Sequence, residues 1–337
     1  MTSDPRQENG SVLIIVLWWL VILSIMAAAL YAFVRPRIEL ASRLRDRAVG
    51  HHLAVAAMRV AMVQVKDDET PAFDALNELW SRNPEVYENI LVANRGLSVA
   101  YRAPVPFEEE PELHYGLQDE ERKININRVP REVLERLFEH IGGLPSVEAS
   151  AIAGAIIDWR DEDDDPVKYG AESSYYSSLS PPYEAKNGVF QVPRELMLVK
   201  GMTAEIYHRV ADSITVFGTG AVNINTADAA VLTCLGITPS LADKVLDCRA
   251  GPDGIQGTED DTVFESVAGI VPAVKEYEAL SNDEVRQLNG AVNTRVITVR
   301  SDNFRGQVFK KLDKTAKEMH ITFVFNRNGL VQYWHEF

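Results

Sequence analysis

The sequence predicts an α+β protein in which a long N-terminal helix packs on a small antiparallel sheet, with a large α-helical domain inserted into that sheet. Three observations predict this class. Residues 11–34 form an uncharged apolar run. Segments of alternating apolar and polar residues lie on both sides of a central helical block, and the block contains an internal repeat. A chain of 337 residues is long enough for these parts.

The apolar run has the length and composition of one membrane-spanning helix, which needs about 20 such residues. Residues 1–10 before it are polar, are not basic and end in glycine, whereas a secretory signal has a basic start and a shorter apolar region. The arrangement resembles a type IV prepilin leader, which a membrane peptidase cuts after a glycine. The expected processing site is the bond between Gly10 and Ser11. The alternative is a plain N-terminal anchor with a short cytoplasmic tail.

The position of Ile15 refines this resemblance. If Ser11 is the first mature residue, Ile15 is the fifth, where most pilins carry a glutamate that pairs with the terminal ammonium of a neighbouring subunit. An unpaired carboxylate at that depth is costly. A subunit without this glutamate therefore either stays out of the filament or occupies its end.

Charge bears on topology and on partners. Five arginines follow the span, whereas Arg6 alone precedes it, so the positive-inside rule favours a cytoplasmic body and counts against export. The chain as a whole is acidic, with 34 Lys and Arg against 49 Asp and Glu. Because nucleic-acid binding needs clustered basic residues, we expect no nucleic-acid partner.

Beyond the span, apolar positions recur at helical intervals and predict an amphipathic continuation over residues 35–66, with Pro36 able to kink the helix. A short helical segment is expected at residues 73–80. The body then comprises residues 67–122 and 291–337, with the inserted domain at 123–290. Its predicted strands are residues 97–102, 112–117, 296–299, 319–325 and 330–334, with a hairpin turn at 326–329.

The inserted domain contains two repeats, expected at residues 123–165 and 221–264. Ile-Asn-Ile-Asn127 recurs as Asn-Ile-Asn225. Each copy leads into a helix, a glycine turn, a second helix and an acidic loop. The second helices end in Asp158-Trp-Arg160 and Asp247-Cys-Arg249.

Such helix pairs resemble helix-hairpin-helix DNA-binding modules, and a membrane-anchored DNA-uptake protein is the main alternative. Those modules use a Gly-x-Gly turn whose backbone N–H groups hold a phosphate. Here the turns read Gly143-Leu-Pro145 and Gly236-Ile-Thr238, so the second glycine is absent from both, and Pro145 removes a donor. The sequence therefore favours a shared scaffold without phosphate binding.

Taken together, these features resemble the minor pseudopilin K family of type II secretion systems. The resemblance rests on the glycine-ended leader, Ile15 and the two Asn-x-Asn repeats, and on Asp158-Trp-Arg-Asp-Glu-Asp-Asp164, Gly170-Ala-Glu-Ser-Ser-Tyr-Tyr176, Pro181-Pro-Tyr183 and Glu195-Leu-Met-Leu-Val-Lys-Gly-Met-Thr203. It implies a pilin-like, single-pass inner-membrane protein with a periplasmic body, processed by prepilin peptidase. It also implies a place at the pseudopilus tip with minor pseudopilins I and J, where it supports the export of folded proteins.

The two acidic loops are the candidate metal sites, and calcium is the expected ion, with one or two ions bound. Calcium takes six to eight oxygen ligands in loose geometry, and the family resemblance independently implies it. Two solvated acidic loops are the alternative. The candidate ligands are Asp161, Asp163, Asp164, Asp165 and Glu172 in the first loop, and Asp253, Asp260 and Asp261 in the second.

Two further expectations concern Cys234 and Cys248 and catalysis. The cysteines lie on the two arms of the second helical hairpin. A disulfide is expected if the body lies outside the cytoplasm, and two buried thiols if it lies inside. The sequence has no Gly-x-Ser-x-Gly elbow and no P-loop. We therefore expect a binding and assembly protein rather than the further alternative, a membrane-anchored enzyme.

Overall fold

The computed structural model describes residues 8–103, 112–311 and 318–336. The chain divides into two compact units, residues 1–55 and 56–337. Helix α1 (Glu8–Lys66) supplies the described part of the first unit and continues into the second. Its N-terminal part is long and apolar enough to cross a membrane. Residues 1–7 of the predicted leader lie outside the described residues, and α1 runs without a break through Gly10, Ser11 and Pro36.

The second unit contains a seven-stranded antiparallel sheet. The strands are β1 (Ile90–Val92), β2 (Arg95–Ala103), β3 (Glu112–Tyr115), β4 (Gln118–Asp119), β9 (Asn303–Lys311), β10 (Glu318–Asn326) and β11 (Val331–Glu336). Their continuous order in the sheet is β1–β2–β9–β10–β11, with β3 paired to β2 and β4 paired to β9. A short helix, α2 (Pro84–Tyr87), precedes β1.

One local prediction for the body is wrong, and one strand of the sheet was missed. Residues 73–80 form turns rather than a helix, and the central strand β9 was not predicted. In β9 the inward positions are Phe304, Gly306 and Val308. A Cβ at position 306 would overlap the ring of Phe323 on β10, so glycine stands where the alternating pattern requires an apolar residue.

Aromatic side chains form the core between the sheet and the elements that cover it. Trp80 packs edge to face on Phe304, with ring centroids 5.0 Å apart, a preferred aromatic geometry. Phe323 and Phe325 of β10 are also buried. Within this unit the last turns of α1 bury one apolar stripe at helical spacing, which consists of Ala57, Met58, Ala61 and Val65.

Between β4 and β9 the chain forms the helical insert, residues 120–302. Its helices pack around one continuous apolar core. A π-helical turn (Leu137–Ile141) extends α3, and 3₁₀ turns lie at Pro193–Leu198, Ala211–Ser213 and Val267–Gly269. The helices are α3 (Arg131–Arg136), α4 (Ser146–Arg160), α5 (Ser173–Tyr176), α6 (Ala204–Val210), α7 (Ala229–Cys234), α8 (Pro239–Arg249), α9 (Ile270–Tyr277) and α10 (Asn282–Asn293).

The insert consists of two repeats of similar construction, each of which begins and ends with a short strand. In the first repeat β5 (Ile124–Asn125) pairs in parallel with β6 (Ile214–Thr215). In the second repeat β7 (Val222–Asn223) pairs in parallel with β8 (Ile297–Thr298). Each repeat therefore continues well past its acidic loop, and its last strand pairs with its first.

The asparagines of the repeated motif explain why the motif occurs twice. Asn127 exchanges two hydrogen bonds with the backbone of Phe190, at 2.9 and 2.7 Å. Asn225 does the same with Phe264, at 3.0 Å for both bonds. In each repeat the arginine that ends the second helix donates hydrogen bonds to backbone carbonyls beside the motif. This arginine is Arg160 in the first repeat and Arg249 in the second.

A set of buried polar side chains, which we call the polar hub, joins the sheet to the insert. The hub consists of Asp74, Asp119, Asn223, Ser301 and Arg327. The Asn223 amide group donates to the Asp74 carbonyl at 3.0 Å, to Asp119 Oδ2 at 3.2 Å and to Ser301 Oγ at 2.8 Å. Arg327 forms an ion pair with Asp74. Burial nevertheless raises the pKa of Asp74 to about 7.

Candidate functional site

Helix α4 carries the first acidic side chain of the candidate site, because its C-terminal end places Asp158 inside the insert. Asp158 is fully buried. Its Oδ1 accepts a 3.0 Å hydrogen bond from the Val167 amide, whereas Oδ2 has no hydrogen-bond partner among the described residues. A Cβ at position 170 would overlap this carboxylate, so Gly170 is needed for the returning loop to pass.

Glu172, at the N-cap of α5, approaches Asp158 from the far side of the loop. Its side chain is only 2% exposed, and neither carboxylate oxygen has a hydrogen-bond partner in the described chain. Burial and the charges of Asp158 and Asp161 raise the pKa of Glu172 to about 7. A buried carboxyl group without a partner is costly, and a bound cation would offset that cost.

The carboxylates converge on one point. Asp161, Asp163 and Glu172 each offer an oxygen, and these oxygens lie within 4.8 Å of one another. Further oxygens without a hydrogen-bond partner in the described chain belong to Asp158, Asp161 and Asn187. Carboxylate and amide oxygens are the ligands that calcium prefers. The residues present therefore fit a calcium ion.

The prediction for this loop and the structure overlap in part. The structure brings together Asp161, Asp163 and Glu172. Asp164 lies beside them and accepts a 3.2 Å hydrogen bond from the Asn187 amide group. Asp165 is exposed, and its backbone N–H donates to Asp163 Oδ1 at 2.9 Å.

Sequence reasoning missed two side chains at this site. Asp158 lies in the last turn of α4, three residues before the acidic run that begins at Asp161, so a signal for it existed. Asn187 comes from a later loop, and no local pattern in the sequence connects it to the acidic run.

The second acidic loop has a different hydrogen-bond arrangement. Asp253 Oδ1 accepts from the Ile255 amide at 2.7 Å, and Asp260 Oδ2 accepts from the Asp253 amide at 3.1 Å. Asp261 Oδ2 accepts from the Gly257 amide at 2.7 Å. These three predicted ligands therefore stabilise their own loop. No buried oxygen of theirs in the described chain lacks a hydrogen-bond partner, and the second calcium ion stays a prediction.

A further acidic group, which consists of Asp68, Asp74 and Glu78, also brings its oxygens within 4.8 Å of one another. Here the charges have protein partners. Arg327 pairs with Asp68 at 2.9 Å and also with Asp74. Glu78 accepts from the Trp80 indole at 2.6 Å. We therefore interpret this group as structural.

The cysteines and the hairpin turns bear on two other predictions. Cys234 and Cys248 are buried free thiols in the structure, and a disulfide between them stays a prediction. Burial raises the pKa of the Cys234 thiol to about 12, which makes it a poor nucleophile. At the hairpin turns, Arg209 donates to the Gly142 carbonyl and Arg136 to the Cys234 carbonyl, both at 2.7 Å. These arginines are engaged with backbone rather than directed at a phosphate.

Comparison with known proteins gives a consistent set of matches. Residues 115–219, which include the first acidic loop, match the family described as type II secretion system protein K. Putative type II secretion system protein K of Escherichia coli K12 is 23% identical over 240 residues, 65% of this chain and 66% of the relative. Type II secretion system protein K of Klebsiella pneumoniae is 34% identical over 129 residues, 36% of this chain and 39% of the relative. These alignments span less than two thirds of the relatives' own lengths.

A solved structure has the same fold. It is the GspK–GspI–GspJ complex from the type II secretion system of enterotoxigenic Escherichia coli, matched with a TM-score of 0.60 and 18% sequence identity. The match covers 90% of this chain and 98% of the solved chain. The predicted fold class is thereby confirmed. The sequence matches agree with the resemblance to type II secretion system protein K, and the DNA-uptake alternative is not supported.

Proposed function

We propose that this chain, a relative of type II secretion system protein K, is a minor pseudopilin that occupies the tip of a pseudopilus. The observation that carries the proposal is the insertion of a large helical domain into an antiparallel sheet, in a chain whose N-terminal helix can span a membrane. The GspK–GspI–GspJ complex shares this fold and supports minor pseudopilins I and J as the partners of this chain.

Two features of the chain suit a subunit at the end of a filament. The insert amounts to more than half of the chain, and a domain of that size would block another subunit from stacking above it. Ile15 replaces the glutamate that lateral contacts inside a filament would require. The role that follows is assembly and support of protein export rather than catalysis.

The proposed location is the inner membrane, with a single span and the body in the periplasm. The proposed processing is cleavage between Gly10 and Ser11 by prepilin peptidase on the cytoplasmic side. The proposed topology requires export against the positive-inside rule, because five arginines follow the span.

The first acidic loop completes the proposal with a calcium ion. Asp161, Asp163 and Glu172 would hold the ion. The oxygens of Asp158 and Asn187 that lack a hydrogen-bond partner in the described chain are further candidate ligands. Bound there, calcium supplies positive charge that fixes the otherwise repelling carboxylates. The chain itself contributes the buried end of α4 and the N-terminus of α5, which the ion would tie together.

The test of the function is the mass and N-terminal sequence of the full chain, expressed with and without prepilin peptidase, together with co-purification with minor pseudopilins I and J. We expect a chain that begins at Ser11 when the peptidase is present, and a stable complex with both partners. A chain that still begins at Met1 beside active peptidase, or one that purifies without either partner, would contradict the proposal.

A further inference from the structure

The residues directly after the membrane span are basic in a chain that is otherwise acidic. Residues 35–47 contain five arginines and two carboxylates, Glu39 and Asp46, which leaves this segment three positive charges, whereas the whole chain carries −15. All five arginines are exposed on α1. They are Arg35, Arg37, Arg43, Arg45 and Arg47.

The two arginines nearest the span reach back along the helix toward it. Arg37 places its guanidinium 3.7 Å from the centroid of the Phe33 ring. Arg35 donates to the Tyr31 hydroxyl at 3.1 Å and pairs with Glu39 at 2.9 Å. Aromatic rings with basic side chains at the end of a span are typical of the membrane–water interface. The pairs therefore mark the level at which the apolar core ends.

Arg43 and Arg45 lie farther along α1 from the membrane core than Arg35 and Arg37 do. Arg45 contacts Asp46 at 3.4 Å, whereas Arg43 has no hydrogen bond or ion pair with any described residue. Arg43 is nine residues beyond Val34, which is roughly 13 Å along a helix axis. The polar headgroup layer is about 5–8 Å deep, and the field of anionic lipids extends about 8 Å beyond it at physiological salt. Arg43 thus lies within reach of that field.

We propose that Arg37 and Arg43, supported by Arg35, bind the phosphate groups of anionic phospholipids on the side of the membrane that carries the body. This binding fixes the depth of α1 in the bilayer. The lipid phosphates also supply negative charge beside the five arginines that follow the span. The inference requires the membrane span and is independent of a place in the pseudopilus.

The test uses the full chain reconstituted in phosphatidylcholine vesicles that contain spin-labelled phosphatidylglycerol or spin-labelled phosphatidylcholine. The measured quantity is the association constant of each labelled lipid with the protein. We expect the wild type to bind phosphatidylglycerol more tightly than phosphatidylcholine. In R37Q/R43Q the ratio of the two association constants should fall by up to about fivefold for each arginine removed. Raising the salt concentration should lower the wild-type selectivity, because salt screens surface charge.

Two variants make the result specific. R286Q/R300Q removes the same charge from the body and should retain wild-type selectivity, whereas R37K/R43K keeps the charge on α1 and should retain most of it. Carbonate extraction verifies that every variant is inserted. Equal uptake of both lipids by the wild type, or undiminished selectivity in R37Q/R43Q, would overturn the proposal and assign the arginines to an acidic protein partner. Neither result would alter the cleavage and co-purification test of the function.

Discussion

Glu172 is the residue on which the calcium proposal depends most directly. Its buried carboxylate faces the charges of Asp158 and Asp161 without a protein partner. We expect calcium to raise the melting temperature of the wild type, since a ligand at 100 times its Kd adds about 2.7 kcal/mol to the free energy of unfolding. E172Q should lose this response, because it loses a charged ligand. Calorimetry in calcium and in EDTA measures both effects.

D165N is the matched control for this prediction, because Asp165 belongs to the same acidic run and is exposed. It should respond to calcium as the wild type does. An equal response of E172Q and the wild type, or a wild-type melting curve unchanged by EDTA, would show that the loop carries solvated charge only.

Asn223 is the residue whose loss should be most costly in the polar hub. Its amide group reaches three oxygens from three segments of the chain, and its Oδ1 accepts from the Asn225 amide at 3.0 Å. We expect N223A to lower the free energy of unfolding by about 2–4 kcal/mol, because buried acceptors lose their donor. N328A, at an exposed turn position, should change it by less than about 0.5 kcal/mol. Urea denaturation checks both values, and equal effects would contradict the assignment.

At this scale the sequence was informative where a motif repeats and uninformative where partners come from distant segments. The second Asn-x-Asn motif identified Asn223 and Asn225 as special positions. Nothing local in the sequence connected Asn223 to Asp119 or Ser301, which lie 104 and 78 positions away. Asn187 was missed at the metal site for the same reason.

Among the helices, α10 offers a prediction about pH. Its capping box joins Ser281 and Glu284. Hydrogen bonds from Ser281, and Lys244 beside it, lower the pKa of Glu284 from 4.5 to about 2. A carboxyl group whose folded pKa is depressed stabilises the fold above its unfolded pKa, and that stability is lost as pH falls through the folded value. We therefore expect the melting temperatures of the wild type and E284Q to differ at pH 7 and to converge between pH 4.5 and about 2.

E276Q is the control for the helix cap. Glu276 lies in α9 with an exposed side chain, so its replacement removes a glutamate charge without removing a cap. Its melting temperature should follow that of the wild type at every pH. If the gap between the wild type and E284Q stays constant with pH, the cap does not depend on the Glu284 charge.

The elements that the sequence predicted correctly are those with regular periodicity. Strand β10, predicted at residues 319–325, is found at Glu318–Asn326, because its apolar residues face the core without interruption. Strand β9 was missed because packing against Phe323 replaces one of its inward positions with Gly306. The turns at residues 73–80 were taken for a helix because Phe73, Leu76 and Trp80 recur at steps of three and four residues, as in a helix.

On the scale of the whole molecule, the polar hub should make the sheet and the insert unfold together. The hub receives side chains from β4, from the second repeat, from the segment before β9 and from the turn after β10. We expect one calorimetric transition for the body, with equal calorimetric and van 't Hoff enthalpies. R327A leaves Asp74 buried without its cation, and it should lower the stability of the whole body by about 3–5 kcal/mol.

R286A, which removes an exposed arginine, is the control and should leave the transition in place. Two separate transitions in the wild type would show that the insert folds independently of the sheet. A shift confined to one transition in R327A would lead to the same conclusion.

The pairing of β4 with β9 has a consequence for the history of this chain. The residues that lead into and out of the insert are neighbours in one ladder: Asp119 pairs with Phe304, and the Glu120 amide donates to the Asn303 carbonyl at 2.9 Å. Neighbouring residues in such a ladder are roughly 5 Å apart. A single recombination event could therefore have added the insert to an ancestral sheet protein without changing the register of any strand.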